Sequence, residues 1–434
     1  MMSFFRIRYR EARVHAYLLC AGGWIVSVAS MAARGTTLIT GEPKWPDFIH
    51  FYTLGTIART GPIELLYDER GQHARQLAIL PWTASDFFRP DTYPPLAALL
   101  FRPFTSLPFV IAGLVWGVLT LLAYGACVLA IRMRSGSTSP LHDRGFVLAA
   151  TFGFPGVWSL FMHGQTTIVV IAAFALAWLA LDKLQSRFVA GLAIGLLALK
   201  PQFGVLIAIV AVARWEWTLV AGTFASVAIQ IAVTISLFGV NILWRYLDAA
   251  RSVLLTAHMP EIKPYLQHSL RAITSLLPLT ADAVTLILLS ALVAFFVIDV
   301  WRRTVNWRVR MGTLVIGSVL VNPHVYAYDA TVLVLAALWL GEEVGYARWF
   351  WQRAYWITAA FVLPFALLIK LQVSVVLLME LLAQVWVRTR RGEIGHVGPV
   401  RSTALPCSSV SPAASANSLE QSARPGEALT RPQY

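Results

Sequence analysis

Apolar residues in this chain come in long, nearly unbroken blocks, set apart by short stretches that collect Arg, Lys, Gly and Pro. The blocks lie at about 15–33, 107–131, 145–161, 166–182, 217–238, 281–300, 309–321, 325–340, 353–369 and 372–387. A helix crosses the hydrocarbon of a bilayer in about 20 apolar residues. The blocks therefore predict membrane helices, the shorter ones ending inside the protein. Residues 187–213 are interrupted at Lys200-Pro201. They read as one broken span or as two short ones meeting there.

Two stretches depart from this rhythm. Residues 34–106 balance seven basic residues against seven acidic ones, with aromatics interleaved. Within them Phe48, Phe51, Tyr52, Leu54 and Ile57 recur near helical spacing, which predicts an amphipathic helix from Asp47 to Thr60, stopped by Gly61-Pro62. Residues 68–80 suggest a second short helix. The apolar run 96–101 is too short to span and is expected to dip into the membrane interface. Residues 239–280 form the second long polar stretch. Residues 388–434 are rich in Ser, Pro, Ala, Gly and Arg without periodicity, the signature of a disordered basic tail. The expected organisation is one membrane-embedded domain, 1–387, followed by that tail.

Composition sharpens the picture. Hydrophobic residues make up 57% of the chain and charged residues 13%, against about 25% charged in soluble chains. A large soluble catalytic domain is excluded, so any chemistry sits in loops between helices or at their ends. The net charge of +13 would suggest nucleic acid in a soluble protein. Here it reads as membrane orientation, since cytoplasmic loops collect Lys and Arg, and no nucleic-acid partner is expected. If 187–213 holds two spans, there are about twelve transmembrane helices and both termini are cytoplasmic. The inner segments then carry nineteen Lys and Arg, and the short outer turns only Lys200 and Lys370. A single broken span would put Arg302, Arg303, Arg308 and Arg310 outside, so two spans are chosen. The first block, behind Arg6, Arg8, Arg10 and Arg13, reads as an uncleaved anchor. Cys20, Cys127 and Cys407 are scattered, which gives neither a disulfide framework nor a thiol metal site. The excess of Arg over Lys suggests a bacterial, high-GC source, hence an inner-membrane location.

With this topology the polar outliers fall on the extracytoplasmic face. They are Asp47, His50, Asp68 and Asp91 in the first loop, His163-Gly164-Gln165, Lys200, Asn322-Pro323-His324 with Asp329 close behind, and His258, Lys263, His268 and Arg271 in 239–280. Ionisable groups at membrane depth are costly and are usually paired or functional. Each also has a plainer role. Asp47 suits a helix N-cap, Lys200 can snorkel to headgroups, and His163-Gly164-Gln165 suits a tight turn. His324 suits a cap, Asp329 suits an ion pair, and the arginines at 302–310 suit topology determinants. The chain has no Walker-type phosphate loop, no His-Glu-x-x-His zinc motif, no Gly-x-Ser-x-Gly elbow and no Asp-x-Asp.

Five ordered elements nevertheless resemble glycosyltransferase family 87, within the membrane-embedded C-type glycosyltransferase superfamily. They are Asp47-Phe48 with Tyr52, Gly61 and Leu66-Tyr67-Asp68; Tyr93-Pro94-Pro95-Leu96 with Pro103 and Leu107-Pro108; Gly164-Gln165; Ala190-Gly191-Leu192 through Leu199-Lys200-Pro201; and Pro323-His324 with Tyr326 and Asp329. The resemblance spans about residues 10–385. It implies an all-α C-type fold whose long first outer loop carries amphipathic helices. It also implies an inverting transfer of a hexose, mannose before a pentose such as arabinose, from a polyprenyl-phosphate sugar to a lipid or glycan acceptor. Neither a nucleotide nor a divalent metal is implied as a cofactor.

Asp47 occupies the position of the proposed base. On physical grounds, a positioned carboxylate accepts the proton of an attacking hydroxyl, and cations meet the charge building on the departing phosphate. Lys200, His324 and Arg271 are the candidates for phosphate binding, and Tyr93, His163, Gln165, His50 and Asp329 for substrate binding. Two departures stand out. Relatives often carry Gly-Gln-x-Asn where this chain has Gly164-Gln165-Thr166-Thr167. A Trp-Asp-His cluster of the mycobacterial branch is replaced by His-Val-Tyr-Ala-Tyr-Asp after Pro323. The rival classes are a transporter or flippase of lipid-linked sugars and a scaffold without catalysis.

Overall fold

The computed structural model describes residues 9–33, 35–37, 43–81, 92–136, 139–256, 266–367 and 372–395. Among them every regular element is a helix. In chain order the α-helices are α1 (Tyr9–Ala32), α2 (Phe48–Thr60), α3 (Glu69–Ile79), α4 (Leu96–Phe101), α5 (Phe109–Arg132), α6 (Arg144–Phe152), α7 (Pro155–His163), α8 (Thr167–Asp182) and α9 (Arg187–Gly195). They continue with α10 (Val205–Ala213), α11 (Trp217–Phe238), α12 (Asn241–Thr256), α13 (Arg271–Thr274), α14 (Leu279–Arg303), α15 (Trp307–Val321), α16 (Leu333–Val344), α17 (Arg348–Leu367) and α18 (Val373–Arg390).

Four helices, α1, α5, α11 and α14, are long and apolar enough to cross a membrane, and a fifth span arises if the bent pair α6–α7 counts as one. This is a multi-pass membrane protein. The centre is occupied by α8 and α15, which are buried on nearly every face, as expected of helices that are hydrophobic all round. By contrast α1, α11 and α14 bury little of their apolar surface inside the protein.

Three elements differ from the sequence reading. The block 145–161 is not one straight span: α6 and α7 meet at 52°. Pro155 opens α7 and lacks the N–H that would continue the ladder. The Phe152 carbonyl beside the break accepts instead from the indoles of Trp24 and Trp158, both at 3.0 Å. The block 325–340 becomes helical only at Asp329–Val332, as a 3-10 turn leading into α16. Residues 322–328 are held open by tertiary bonds. His268 N donates to Val325 O (2.8 Å), Leu270 N to Leu320 O (2.9 Å), and Val325 N to Gln267 Oε1 (2.8 Å). The last helix runs to Arg390, past the expected limit at 387. The tail beyond 395 lies outside the described residues.

Residues 187–213 are two short helices, α9 and α10, joined through 3-10 turns on either side of Lys200. Glycines let α9 press against α11. A Cβ at Gly191 would come within 2.1 Å of Leu219 O, and one at Gly222 within 2.1 Å of Phe188 O. Gly195 lies against Ser226, and its carbonyl accepts from Gln230 Nε2 at 2.8 Å. The contacts climb both helices together, so α9 and α11 run parallel. Small residues that let two backbones approach are the usual means of packing helices in lipid.

Arg310 is a latch rather than a topology marker alone. It is 7% exposed, donates to Thr304 O (2.7 Å) and Trp301 O (3.0 Å), and sits against the rings of Trp301 and Trp307.

Candidate functional site

The first outer loop places its carboxylate with care. Trp45 adopts a left-handed φ of +52°, rare for a bulky residue, and is 4% exposed. Its indole lies where a Cβ on Gly113 would come within 2.8 Å. Asp47 stands two residues on, at the N-cap position of α2, with no side-chain cap bond. The plainer N-cap role is therefore not taken by its side chain, in contrast to Asp68 at the start of α3, whose Oδ2 accepts from Gly71 N at 2.7 Å. The Asp47 backbone N donates to His163 O at 3.3 Å. Its Oδ2 accepts from Gln165 Nε2 at 2.9 Å.

Gln165 follows Gly164, which ends α7 in the left-handed region (φ +68°), and the Gly164 carbonyl is held by Trp116 Nε1 at 3.0 Å. Gln165 Oε1 accepts from Lys200 Nζ (3.1 Å), Tyr93 Oη (3.3 Å) and the Thr166 backbone N (3.2 Å). Lys200 donates further to Thr167 Oγ1 (3.0 Å) and Asp329 Oδ1 (2.7 Å). Thr167 in turn donates to the same Asp329 oxygen at 2.6 Å. Lys200 is 3% and Asp329 2% exposed. The lysine does not snorkel; it is the cation of a buried ion pair. Thr167 keeps an oxygen at the position where relatives often carry Asn.

Four more expected residues gather around this network. His324 is half-buried, with its N bonded to Asn322 Oδ1 at 2.9 Å and its ring edge-on to Tyr326. Burial holds its imidazole below the usual histidine range, while the carboxylates of Asp329 and Asp47 pull it up and the charges of Lys200 and Arg271 push it down. His324 thus feels the charges of Asp329, Lys200, Asp47 and Arg271 together. The His163 ring faces Tyr328 at 5.3 Å and accepts or donates at Ser159; its backbone carbonyl, rather than its ring, meets Asp47. Tyr93 is fixed by Phe51, with ring centroids 4.8 Å apart, and by Tyr67 Oη donating to its carbonyl at 2.8 Å. His50 points elsewhere, toward Gln76 of α3 at 3.0 Å.

His268, also on the expected face, packs away from this centre. It stacks on Phe361 at 3.9 Å and bonds Ser374 at 2.9 Å, and burial pushes its pKa down to about 3. Asp91, His258 and Lys263 lie outside the described residues. Sequence reasoning missed Trp45, Thr167 and Tyr328. A tryptophan ahead of Pro46-Asp47 was the available signal for the first. Tyr328, under the Lys200 ammonium at 5.5 Å, gave none beyond its neighbour Asp329.

Among the described residues no three His, Cys, Asp or Glu side chains converge as metal ligands. A cavity of about 1500 Å³ lies among α1, α6, α16 and α17, beside His15, Phe154, Trp351 and Tyr355, and contains none of the candidate residues. The site thus offers a half-exposed carboxylate held by a neutral amide, with a buried ion pair behind it and an imidazole and a guanidinium nearby.

The model of glycosyltransferase family 87 matches residues 92–323. A polyprenol-phosphate-mannose-dependent alpha-(1-2)-phosphatidylinositol pentamannoside mannosyltransferase of Mycolicibacterium smegmatis is 30% identical over 176 residues, 39% of either chain. The protein of the same description from Mycobacterium tuberculosis is 33% identical over 94 residues, 20% of this chain and 21% of its own. The aligned part thus spans about two-fifths or less of these relatives. No solved structure matches the chain.

Proposed function

The chain belongs to glycosyltransferase family 87, and on that premise we propose an inverting enzyme that moves a hexose, mannose before arabinose, from a polyprenyl phosphate to a lipid or glycan acceptor. The reaction takes place at the outer face of the bacterial inner membrane. The observation that carries this reading is Asp47: a half-exposed carboxylate that caps no helix and is held by Gln165 among groups from five chain segments.

In this reaction the acceptor hydroxyl attacks the anomeric carbon. Its proton passes to the Asp47 carboxylate as the new C–O bond forms. The bond between the anomeric carbon and the phosphate oxygen breaks, and polyprenyl phosphate leaves with the electron pair. Arg271 supplies a permanent cation for that phosphate and His324 a hydrogen bond from a ring kept neutral by burial. Charge stabilised in this way does not call for a divalent ion. His324 or Asp329 stands in for the missing Trp-Asp-His cluster. The parallel course of α9 and α11 supports two spans in 187–213, and with them the twelve-helix arrangement with both termini inside.

The test is envelope glycolipid mass spectrometry on a deletion strain rescued with wild type or with Asp47→Asn at matched expression. The expected result is loss of one hexose from a defined glycolipid in the mutant rescue alone. Identical profiles in the two rescued strains would remove Asp47 as the base and bring the transporter reading forward.

A further inference from the structure

Gln165 cannot be turned over. Its Oε1 faces Lys200 Nζ and the Thr166 backbone N–H, two groups that only donate. Its Nε2 faces the Asp47 carboxylate, which only accepts when ionised. A flipped amide would oppose like partners at both ends. Lys200 has three N–H groups and makes three hydrogen bonds, to Gln165, Thr167 and Asp329. With 3% exposure it has little to offer a phosphate directly. It polarises the Gln165 carbonyl, and polarisation along a hydrogen-bonded chain strengthens the next donor.

We propose that Asp329, Lys200 and Gln165 form a positioning relay in which the buried ion pair fixes the amide and the amide aims the Asp47 carboxylate. This reassigns Lys200 and Asp329 from ligand contact to support of the base, and it rests on Asp47 being that base. Thr167 completes the ion pair by donating to Asp329 while accepting from Lys200. Tyr93 closes the third side of the Gln165 carbonyl.

Ligand contact and positioning separate in two readouts. One is the affinity of the purified protein for polyprenyl phosphate, a probe shared by every donor sugar. The other is the initial rate of glycolipid extension in membranes of the deletion strain carrying each variant. Two variants are used: Gln165→Leu, and the double change Lys200→Met with Asp329→Leu. Replacing both members of a buried ion pair by apolar residues is often neutral for stability, so the second variant protects the test if a single change fails to fold. The expected result is affinity within about threefold of wild type and turnover lowered on the order of 10²-fold, the effect of misplacing a reacting group by about 1 Å.

Weakened polyprenyl-phosphate binding in the double variant would overturn the relay and make Lys200 a phosphate ligand. Wild-type turnover in folded Gln165→Leu would overturn it as well. Failure of the base itself is read separately, from Asp47→Asn.

Discussion

At Gly164 a single methyl group should silence the enzyme without unfolding it. The residue sits at φ +68° and ψ +35°, a conformation that costs an alanine about 1–2 kcal/mol. A Cβ there would also lie 2.6 Å from the Cβ of Phe48 and 3.3 Å from Trp45 Cδ1. Non-bonded carbons settle at about 3.5–4.0 Å, so Phe48 must retreat by roughly 1 Å. Phe48 follows Asp47 directly and is fully buried against the rings of Tyr52, Phe101 and Phe109. It cannot move without taking the start of α2, and the carboxylate, along.

A displacement of about that size lowers rate on the order of 10²-fold. The backbone strain alone lowers the melting midpoint by only a few degrees in a protein of this size. The assay is the initial rate of glycolipid extension in membranes of the deletion strain, paired with a melting curve of the purified variant. Gly345→Ala is the control. Its backbone is at least as unfavourable to a side chain (φ +58°, ψ −131°), but a Cβ there meets nothing within 4 Å. It should lose stability and keep its turnover. If Gly164→Ala were as active as Gly345→Ala, the claim that α2 aims the carboxylate through this turn would be refuted.

Other outcomes follow from the same geometry. Gly222→Val should drive α9 and α11 apart, because even one Cβ would come within 2.1 Å of Phe188 O; size-exclusion chromatography in detergent should show loss of the monodisperse folded peak. His268 is held near 3 in the folded protein, below its unfolded value of about 6.5. As pH falls the unfolded chain takes up that proton first, so the stabilisation is complete above about pH 6.5 and is lost progressively toward 3. His268→Gln should therefore melt with a flatter pH dependence than wild type between about pH 7.5 and 5, and an unchanged slope would show that the ring titrates freely.

The sequence made most helices legible because uninterrupted apolar length is a strong signal, and the amphipathic stretch Asp47–Thr60 formed as its spacing required. The departures came from bonds that no local pattern contains. Two indoles satisfy the Phe152 carbonyl at the α6–α7 break, and bonds from residues 267–270 accompany the non-helical stretch after Val321. At the site, residue types were readable and partnerships were not. Asp47 fits a cap and a base equally well until its side chain is seen to cap nothing. Lys200 before a proline fits a snorkelling residue until Asp329 is seen beside it. Arg310 belonged to a basic cluster that orientation already explained, which concealed its grip on Thr304 and Trp301.

The Lys200–Asp329 pair also bears on how the protein is made. Its members are separated by 129 residues, and chains grow at about 5–20 residues per second, so the lysine waits roughly 6 to 26 s for its partner. During that interval a lone ammonium sits between two short apolar helices, where burial is unfavourable. Burial of the turn between α9 and α10 is therefore opposed until Asp329 has been made, so the ion pair ties the docking of that turn to the arrival of the segment ahead of α16. A chain that stops before Asp329 leaves the Lys200 charge uncompensated.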